Sequence, residues 1–239
     1  KRGDEVQLDV TGAAFEGKAV ARKEGYVVFV EGAVPGDVVL ARILKAKKNF
    51  AEAKVVRIEK PSPSRIEPRC KHFGVCGGCK WQYVDYQAQL QFKQQHVIDA
   101  FERIGGFSGF TILPIIGSED IYFYRNKMEY SFSARQWLPN PVEDKFETQN
   151  SKFEFRDSNL EIFLGLHVPQ RYDKVLDIEE CHLQSHASNQ VLNFTRNFAR
   201  QNNLPVYSSE DESGYLRFLV IRQSTRTREL MVNLVTYED

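Results

Sequence analysis

Apolar and polar residues alternate along most of the first quarter of the chain. Val6-Gln7-Leu8-Asp9-Val10, Tyr26-Val27-Val28-Phe29-Val30, Val38-Val39-Leu40-Ala41-Arg42-Ile43 and Ala53-Lys54-Val55-Val56-Arg57-Ile58 each read as a strand with one buried face. Thr11-Gly12, Lys23-Glu24-Gly25 and Val34-Pro35-Gly36-Asp37 interrupt these runs with turn chemistry. Strands this short and closely spaced predict a small closed all-β barrel of the OB-like kind, because closure leaves no unpaired edge. Residues 59–69 then carry Pro61, Pro63 and Pro68, which block ladder hydrogen bonds and predict an extended linker.

Beyond the linker the period changes. From Val84 to Ile104, Tyr86, Leu90, Val97, Phe101 and Ile104 recur mostly at three- and four-residue steps, with Lys93 breaking the stripe. Asp85 stands where a helix cap is needed and Gly105-Gly106 where a helix stops. The pattern returns to strands over Tyr122–Ser133, with Met128, Tyr130 and Phe132 on one face and Arg125, Lys127 and Glu129 on the other. The stretch from Trp137 to Asn159 is polar and reads as a surface excursion, in which Phe153 and Phe155 could form a short strand. Leu160–Leu166 resumes the sheet. A second helix has Ala187, Val191, Phe194 and Phe198 as its apolar stripe and ends at Asn202-Asn203-Leu204-Pro205. Tyr215–Arg222 and Glu229–Thr236 form a closing hairpin. The expected organisation is a barrel at 1–58, a linker at 59–69, and an α+β domain with an antiparallel sheet at 70–239.

Candidate chemistry sits where the linker ends. Three of the four cysteines, Cys70, Cys76 and Cys79, fall in a C-x5-C-x2-C run, and Cys181 follows a hundred residues later. No apolar run is long enough to span a bilayer, so no membrane is expected and the chain reads as cytoplasmic. In a reducing compartment, clustered cysteines point to a metal rather than to disulfides. Four thiolates suit both zinc and an iron–sulfur cluster. Only Cys76 and Cys79 form a zinc-type knuckle, whereas Gly74, Gly77 and Gly78 allow the tight wrap that a larger cluster needs. A cluster is therefore favoured, with zinc the alternative occupant. His72 and His182 are read as packing neighbours.

Charge changes the picture only locally. Lys and Arg number 32, as do Asp and Glu, so no global field draws the chain to nucleic acid. Residues 1–58, however, hold 11 Lys and Arg against 8 Asp and Glu, and the excess gathers in Lys45-Ala46-Lys47-Lys48-Asn49-Phe50. Cations beside an aromatic ring suit single-stranded RNA. A solvated hairpin tip with Phe50 tucked into the barrel fits the same residues.

The order of barrel, proline-rich linker, His72-Phe73-Gly74-Val75-Cys76-Gly77-Gly78-Cys79, Tyr124-Arg125-Asn126-Lys127 and a distant Cys181 resembles the RNA uracil-5-methyltransferases. The resemblance is to their ribosomal branch, and it implies a TRAM domain at 1–58 and a [4Fe–4S] cluster on Cys70, Cys76, Cys79 and Cys181. It also implies RNA contacts from Lys45, Lys47, Lys48, Phe50, Arg125, Asn126, Lys127 and Arg217. The expected substrate is 23S ribosomal RNA ahead of tRNA, and the expected state is a monomer. In this family a cysteine adds to uracil C6, which makes C5 nucleophilic towards the methyl group of S-adenosylmethionine. Here the cluster claims all four cysteines, and no glycine-rich strand-to-helix turn for the methyl donor is found. The resulting expectation is a recognition half without the Rossmann-like domain, inactive by itself, whose helix at 84–104 packs on the domain that is missing. The rival expectation is a non-catalytic RNA-binding protein with a structural zinc site.

Overall fold

The structure is a computed structural model that describes residues 1–136, 161–168 and 175–237. The excursion expected at 137–159, with Phe153 and Phe155, lies outside the described residues. The chain divides into two compact units, one of residues 1–69 and 79–119 and one of residues 70–78 and 120–239. This division runs through the cysteine stretch and groups the first long helix with the barrel, which differs from the linear order of barrel, linker and second domain.

In the first unit, β1 (Glu5–Ala13), β2 (Ala19–Lys23), β3 (Tyr26–Glu31), β4 (Val38–Ala46) and β5 (Phe50–Lys60) close into a barrel of order β1-β2-β3-β5-β4. The pairings are antiparallel except β3 with β5. Leu8, Val10, Val28, Val30, Val39 and Ile43 fill the interior. Strand β2 is absent from the sequence reading because its inward positions are Ala19 and Ala21, too small to give an apolar alternation.

The turn before β4 is organised by one carboxylate. Asp37 is 1% exposed. Its oxygens accept from the Val34 amide at 2.7 Å, the Ser62 amide at 2.7 Å, and the Arg65 guanidinium at 2.6 and 3.2 Å. Burial alone would raise this carboxyl, but the Arg65 and amide donors outweigh it and hold it below its ordinary value. Gly36 takes φ +97°, and a Cβ there would meet Ser62 Oγ at 2.9 Å, so the turn and the linker fit together only around a glycine.

Helix α1 (Tyr86–Asp99) is capped by Asp85, which accepts from the Gln87 and Ala88 amides, and it continues as a wider turn over Ala100–Ile104. Its contact face is not the expected stripe. Ala88 is buried with Val34 and Val84, and Phe92 packs beside them, while Val97, Phe101 and Ile104 are exposed. Three- and four-residue spacing alone does not fix which face meets the barrel: the small Ala88 allows close approach on a neighbouring face.

The second unit is a five-stranded antiparallel sheet of order β10-β9-β6-β7-β8, formed by β6 (Lys127–Ser133), β7 (Phe163–His167), β8 (Val175–Asp177), β9 (Leu216–Gln223) and β10 (Leu230–Thr236). Strand β6 starts at Lys127, five residues later than the alternation implies, because the amides of Phe123 and Arg125 bond instead to the carbonyls of His182 and Leu183. Helix α2 (His186–Gln201) lies on Leu164, Ile178, Leu216 and Leu219 of the same core.

The stripe expected for α2 is corrected by the structure. Ala187, Phe194 and Phe198 are exposed, and the buried positions are Ser188, Asn189, Leu192, Arg196 and Ala199. A largely polar face can be buried because each group finds a partner. Arg196 donates to Asp177 Oδ1 at 3.0 Å and to the Ile178 carbonyl at 2.7 Å, and Arg200 donates to Asp177 Oδ2 at 3.1 Å and to the Ile162 carbonyl at 2.7 Å. No helix among the described residues is long and apolar enough to cross a membrane.

The Asp37 site sets an acid dependence. A carboxyl whose folded pKa is lowered contributes stability above its unfolded pKa, ordinarily 3.8, and that contribution is lost as pH falls through the folded value. Asp37→Asn should therefore cost about 3 kcal/mol at neutral pH by leaving Arg65 without its anion. The deficit should shrink as pH falls below that value, as read from urea unfolding of both proteins at neutral and acid pH. A deficit that does not change with pH would contradict this account.

Candidate nucleic-acid interface and cysteine site

The basic turn is the β4–β5 hairpin tip. Lys45, Lys47 and Lys48 are exposed, and Phe50 is half-buried. The tip is pinned from β3, where the Tyr26 hydroxyl donates to the Phe50 carbonyl at 2.7 Å and also to the Lys47 carbonyl. The Phe50 ring meets Phe29 edge-on at 5.6 Å, and Lys47 Nζ stands 5.1 Å from the ring centroid. The turn is thus both of the things its sequence allowed: a pinned hairpin tip and a set of cations beside an aromatic ring.

In the second unit, Arg125, Asn126 and Lys127 are exposed at the start of β6. Arg125 Nε donates to the Lys127 carbonyl at 3.1 Å, and it is Lys127, not Arg125, that pairs with Glu129, at 3.2 Å. Asn126 and Lys127 line a shallow groove of about 360 Å³ with Arg222, Gln223, Glu229 and Met231. Arg217 is half-buried, its guanidinium 4.5 Å from the Tyr207 ring centroid and 5.5 Å from that of Phe218. Its buried Nε has no hydrogen-bond partner among the described residues. Among the described residues the guanidinium is therefore held by cation–π contacts rather than by an ion pair.

Cys70, Cys76 and Cys181 belong to the second unit and Cys79 to the first, and all four are partly buried. Hydrogen bonds from the Phe73 amide to the Cys70 carbonyl and from the Cys76 amide to the His72 carbonyl coil the stretch between the first two cysteines. The Gly78 amide points at Cys76 Sγ, 3.4 Å away, and buried Gln82 donates to Cys79 Sγ at 3.2 Å. Asn189 on α2 clamps the Cys181 backbone, accepting from its amide at 2.9 Å and donating to its carbonyl at 3.1 Å.

Cys76 and Cys181 pack on the core that contains Tyr130. The Tyr130 side chain is buried and its hydroxyl has no partner among the described residues. Burial pushes its pKa up, and the neighbouring sulfurs of Cys181 and Cys76 push it further. His72 Nε2 is likewise buried without a hydrogen bond, and burial lowers its pKa, followed by the charge of Lys71. Among the described residues no three His, Cys, Asp or Glu side chains converge as a metal shell. Within the second unit the donors are nevertheless of the soft kind that a thiolate-bound centre uses: Cys70, Cys76 and Cys181, with the Gly78 amide aimed at the Cys76 sulfur and the orphaned Tyr130 phenol beside Cys76 and Cys181.

The sequence reading passes over Phe15 and takes His96 as a structural or exposed residue of its helix rather than a ligand. Their rings stack at 4.6 Å in the first unit, where His96 Nε2 lies 2.9 Å from the Ala13 carbonyl. Phe15 stands alone in a turn and His96 alone on a helix, so neither leaves a periodic signal.

Residues 1–56 match the family model of the TRAM domain. Over these residues the chain is similar to TRAM domains. It is also 40% identical over 234 residues to an uncharacterized RNA methyltransferase of Porphyromonas gingivalis, an alignment covering 97% of this chain and 49% of that protein. An uncharacterized RNA methyltransferase of Bacteroides thetaiotaomicron is 42% identical over 222 residues, 93% of this chain and 47% of the relative. Among solved structures, the fold is similar to that of the Pyrococcus abyssi tRNA (uracil-54, C5)-methyltransferase, solved in complex with S-adenosyl-L-homocysteine. The TM-score is 0.60 at 23% identity, over 97% of this chain and 46% of that one. The chain spans about half the length of the curated relatives it matches.

These matches correct two expectations. The first is the fold class of a TRAM barrel and central α+β domain with the Rossmann-like domain absent, and the second is an inactive fragment. Similarity to methyltransferases runs through both units, along 97% of the chain, so neither expectation is kept. Both rested on motifs not found, namely a spare cysteine and a glycine-rich turn, and on where the sequence stops. None of these is a physical observation about activity.

The orphaned Tyr130 phenol beside Cys76 and Cys181 gives a test. In metal-free protein Tyr130→Phe should raise stability by about 1 kcal/mol, because it removes a buried hydroxyl that has nothing to bond. Chemical denaturation of metal-free samples reads this directly, and a clear loss of stability would mean that the hydroxyl has a partner.

Proposed function

We propose that the protein serves S-adenosylmethionine-dependent methylation of uracil C5 in RNA, acting as a monomer in the cytoplasm on 23S ribosomal RNA. The observation that carries this reading is a TRAM domain continuous with a fold that resembles a uracil-C5 methyltransferase over 97% of the chain. Relatives named RNA methyltransferases at about 40% identity support it. The Pyrococcus abyssi neighbour acts on tRNA; ribosomal RNA is preferred because the TRAM domain and the four-cysteine set together resemble the ribosomal branch.

In this proposal RNA is met by Lys45, Lys47, Lys48 and Phe50 at the barrel tip, by Arg125, Asn126 and Lys127 at the start of β6, and by Arg217. The lysines neutralise phosphates, and Asn126 offers an amide that can both donate and accept. Selection of one uridine draws on RNA shape and on bases splayed from the helix. Cys70, Cys76, Cys79 and Cys181 hold a [4Fe–4S] cluster, which ties the cysteine stretch to the Cys181 loop. With all four positions filled by thiolate, the cluster is structural and the substrate does not bind it.

Lys47→Ala combined with Lys48→Ala should weaken binding to a uridine-containing RNA hairpin and lower the slope of log affinity against log salt by about 1.5, because two phosphates are then no longer neutralised. Titrations at several salt concentrations measure this, and an unchanged slope would remove the turn from the interface. Anaerobically purified protein should contain iron and sulfide and absorb broadly in the visible, and Cys181→Ser should lose most of that absorbance. One zinc per chain with no visible absorbance would favour the non-catalytic zinc protein instead.

A further inference from the structure

The first unit contains a cleft of about 510 Å³ between the barrel and the C-terminal end of α1. Phe29 and Phe50 line its barrel side, and Phe15 and His96 its outer wall. Phe15 is 68% exposed. Its ring stacks on that of His96, which lies 26° from parallel with it. His96 is itself fixed by its contact with the Ala13 carbonyl. The turn that carries Phe15 has Glu16 at φ +62° and Gly17 at φ +83°. A Cβ on Gly17 would fall 2.6 Å from Lys80 Cβ, so this turn can seat against the segment before α1 only because residue 17 is glycine. The backbone that presents Phe15 is therefore placed by a specific turn.

The charges around the cleft decide what it suits. Lys18 is paired with Glu52 at 3.6 Å, and Arg103 with Asp99 at 3.3 Å, so each cation on the rim is offset by a carboxylate. A phosphate gains little in such a place. A flat, uncharged ring gains stacking on Phe15 and hydrogen bonds at the rim. Cations with no ion pair among the described residues stand next door: Phe50 lines the cleft and also carries Lys47 over its ring, where the basic turn begins.

We propose that this cleft holds one unstacked nucleobase of single-stranded RNA, stacked on Phe15, with the neighbouring phosphates led out towards Lys45, Lys47 and Lys48. The inference rests on the RNA-binding reading above and adds a site to it. The base supplies affinity that salt does not screen, while the lysines supply the part that salt removes.

The test uses the whole chain and a short oligouridylate carrying 5-iodouracil. After irradiation, the crosslink should map to the peptide containing Phe15. Phe15→Ala, at a side chain exposed enough to leave folding intact, should weaken binding about tenfold, and by the same factor at low and high salt. Phe15→Tyr should restore the affinity. If wild-type protein binds the oligonucleotide but Phe15→Ala binds as tightly, or the crosslinks map elsewhere, the cleft is not a base site and the RNA-binding reading stands. If wild-type protein binds neither the oligonucleotide nor the uridine hairpin, that reading falls and the cleft proposal falls with it.

Discussion

A carboxylate removed from water must be surrounded by donors, and in the first unit that requirement at Asp37 fixes how the barrel, the linker and α1 are joined. The Val34 amide closes the turn, the Ser62 amide draws the linker against the barrel, and Arg65 reaches across both to the Gly32 carbonyl. With Arg65 also 5.1 Å from the Tyr83 ring, the segment leading into α1 is anchored to the same charge. A proline-rich stretch that could have been a loose tether is thereby made part of the folded unit. Pairing one buried charge with a single arginine would barely repay its desolvation; the two amides tip the balance.

The second unit solves the same problem around Asp177, and the solution explains an unusual helix. Arg196 and Arg200 bring their charges to one carboxylate and spend their remaining donors on the carbonyls of Ile178 and Ile162. With Asn189 and Asn193 bonding the backbone of Cys181 and Glu179, the helix is fastened to the segment after β8 through polar contacts at almost every turn. Apolar burial is non-directional, whereas these bonds set register. On the proposed reading that matters, because a cluster ligand such as Cys181 has to be presented in one position.

Much of this was legible in the sequence. Alternation with large apolar residues revealed β1, β3, β4 and β5, and Asp85 announced its helix. Legibility failed where the structure departs from the rule that apolar residues mark the buried face. Ala19 and Ala21 hide β2 because small residues carry little contrast. Phe194 and Phe198 drew attention to the wrong side of α2, since nothing in the local pattern reveals that Asp177, nineteen residues before Arg196, waits beneath it. Tyr122 to Asn126 alternate like a strand, yet the amides of Phe123 and Arg125 bond to the carbonyls of His182 and Leu183, a long-range competition that no local pattern encodes. The cysteine spacing picked out the candidate donors, but spacing could not say that the stretch straddles two compact units.

The balanced charge of the chain constrains how it can engage RNA on the proposed reading. With equal numbers of acidic and basic residues, no long-range field gathers nucleic acid, and the barrel tip offers only a few phosphate contacts. Each such contact is weakened as salt rises, so a handful of lysines at physiological ionic strength gives modest binding with little choice among sequences. The remaining affinity and all of the selectivity must come from contacts that salt does not screen: ring faces, hydrogen bonds to base edges, and the shape of the RNA. Aromatic surface held rigid next to cations is therefore what a neutral RNA-binding chain most needs. On the proposed reading, the exposed ring of Phe15, stacked on His96 beside the basic turn, supplies such surface where the lysine count alone does not.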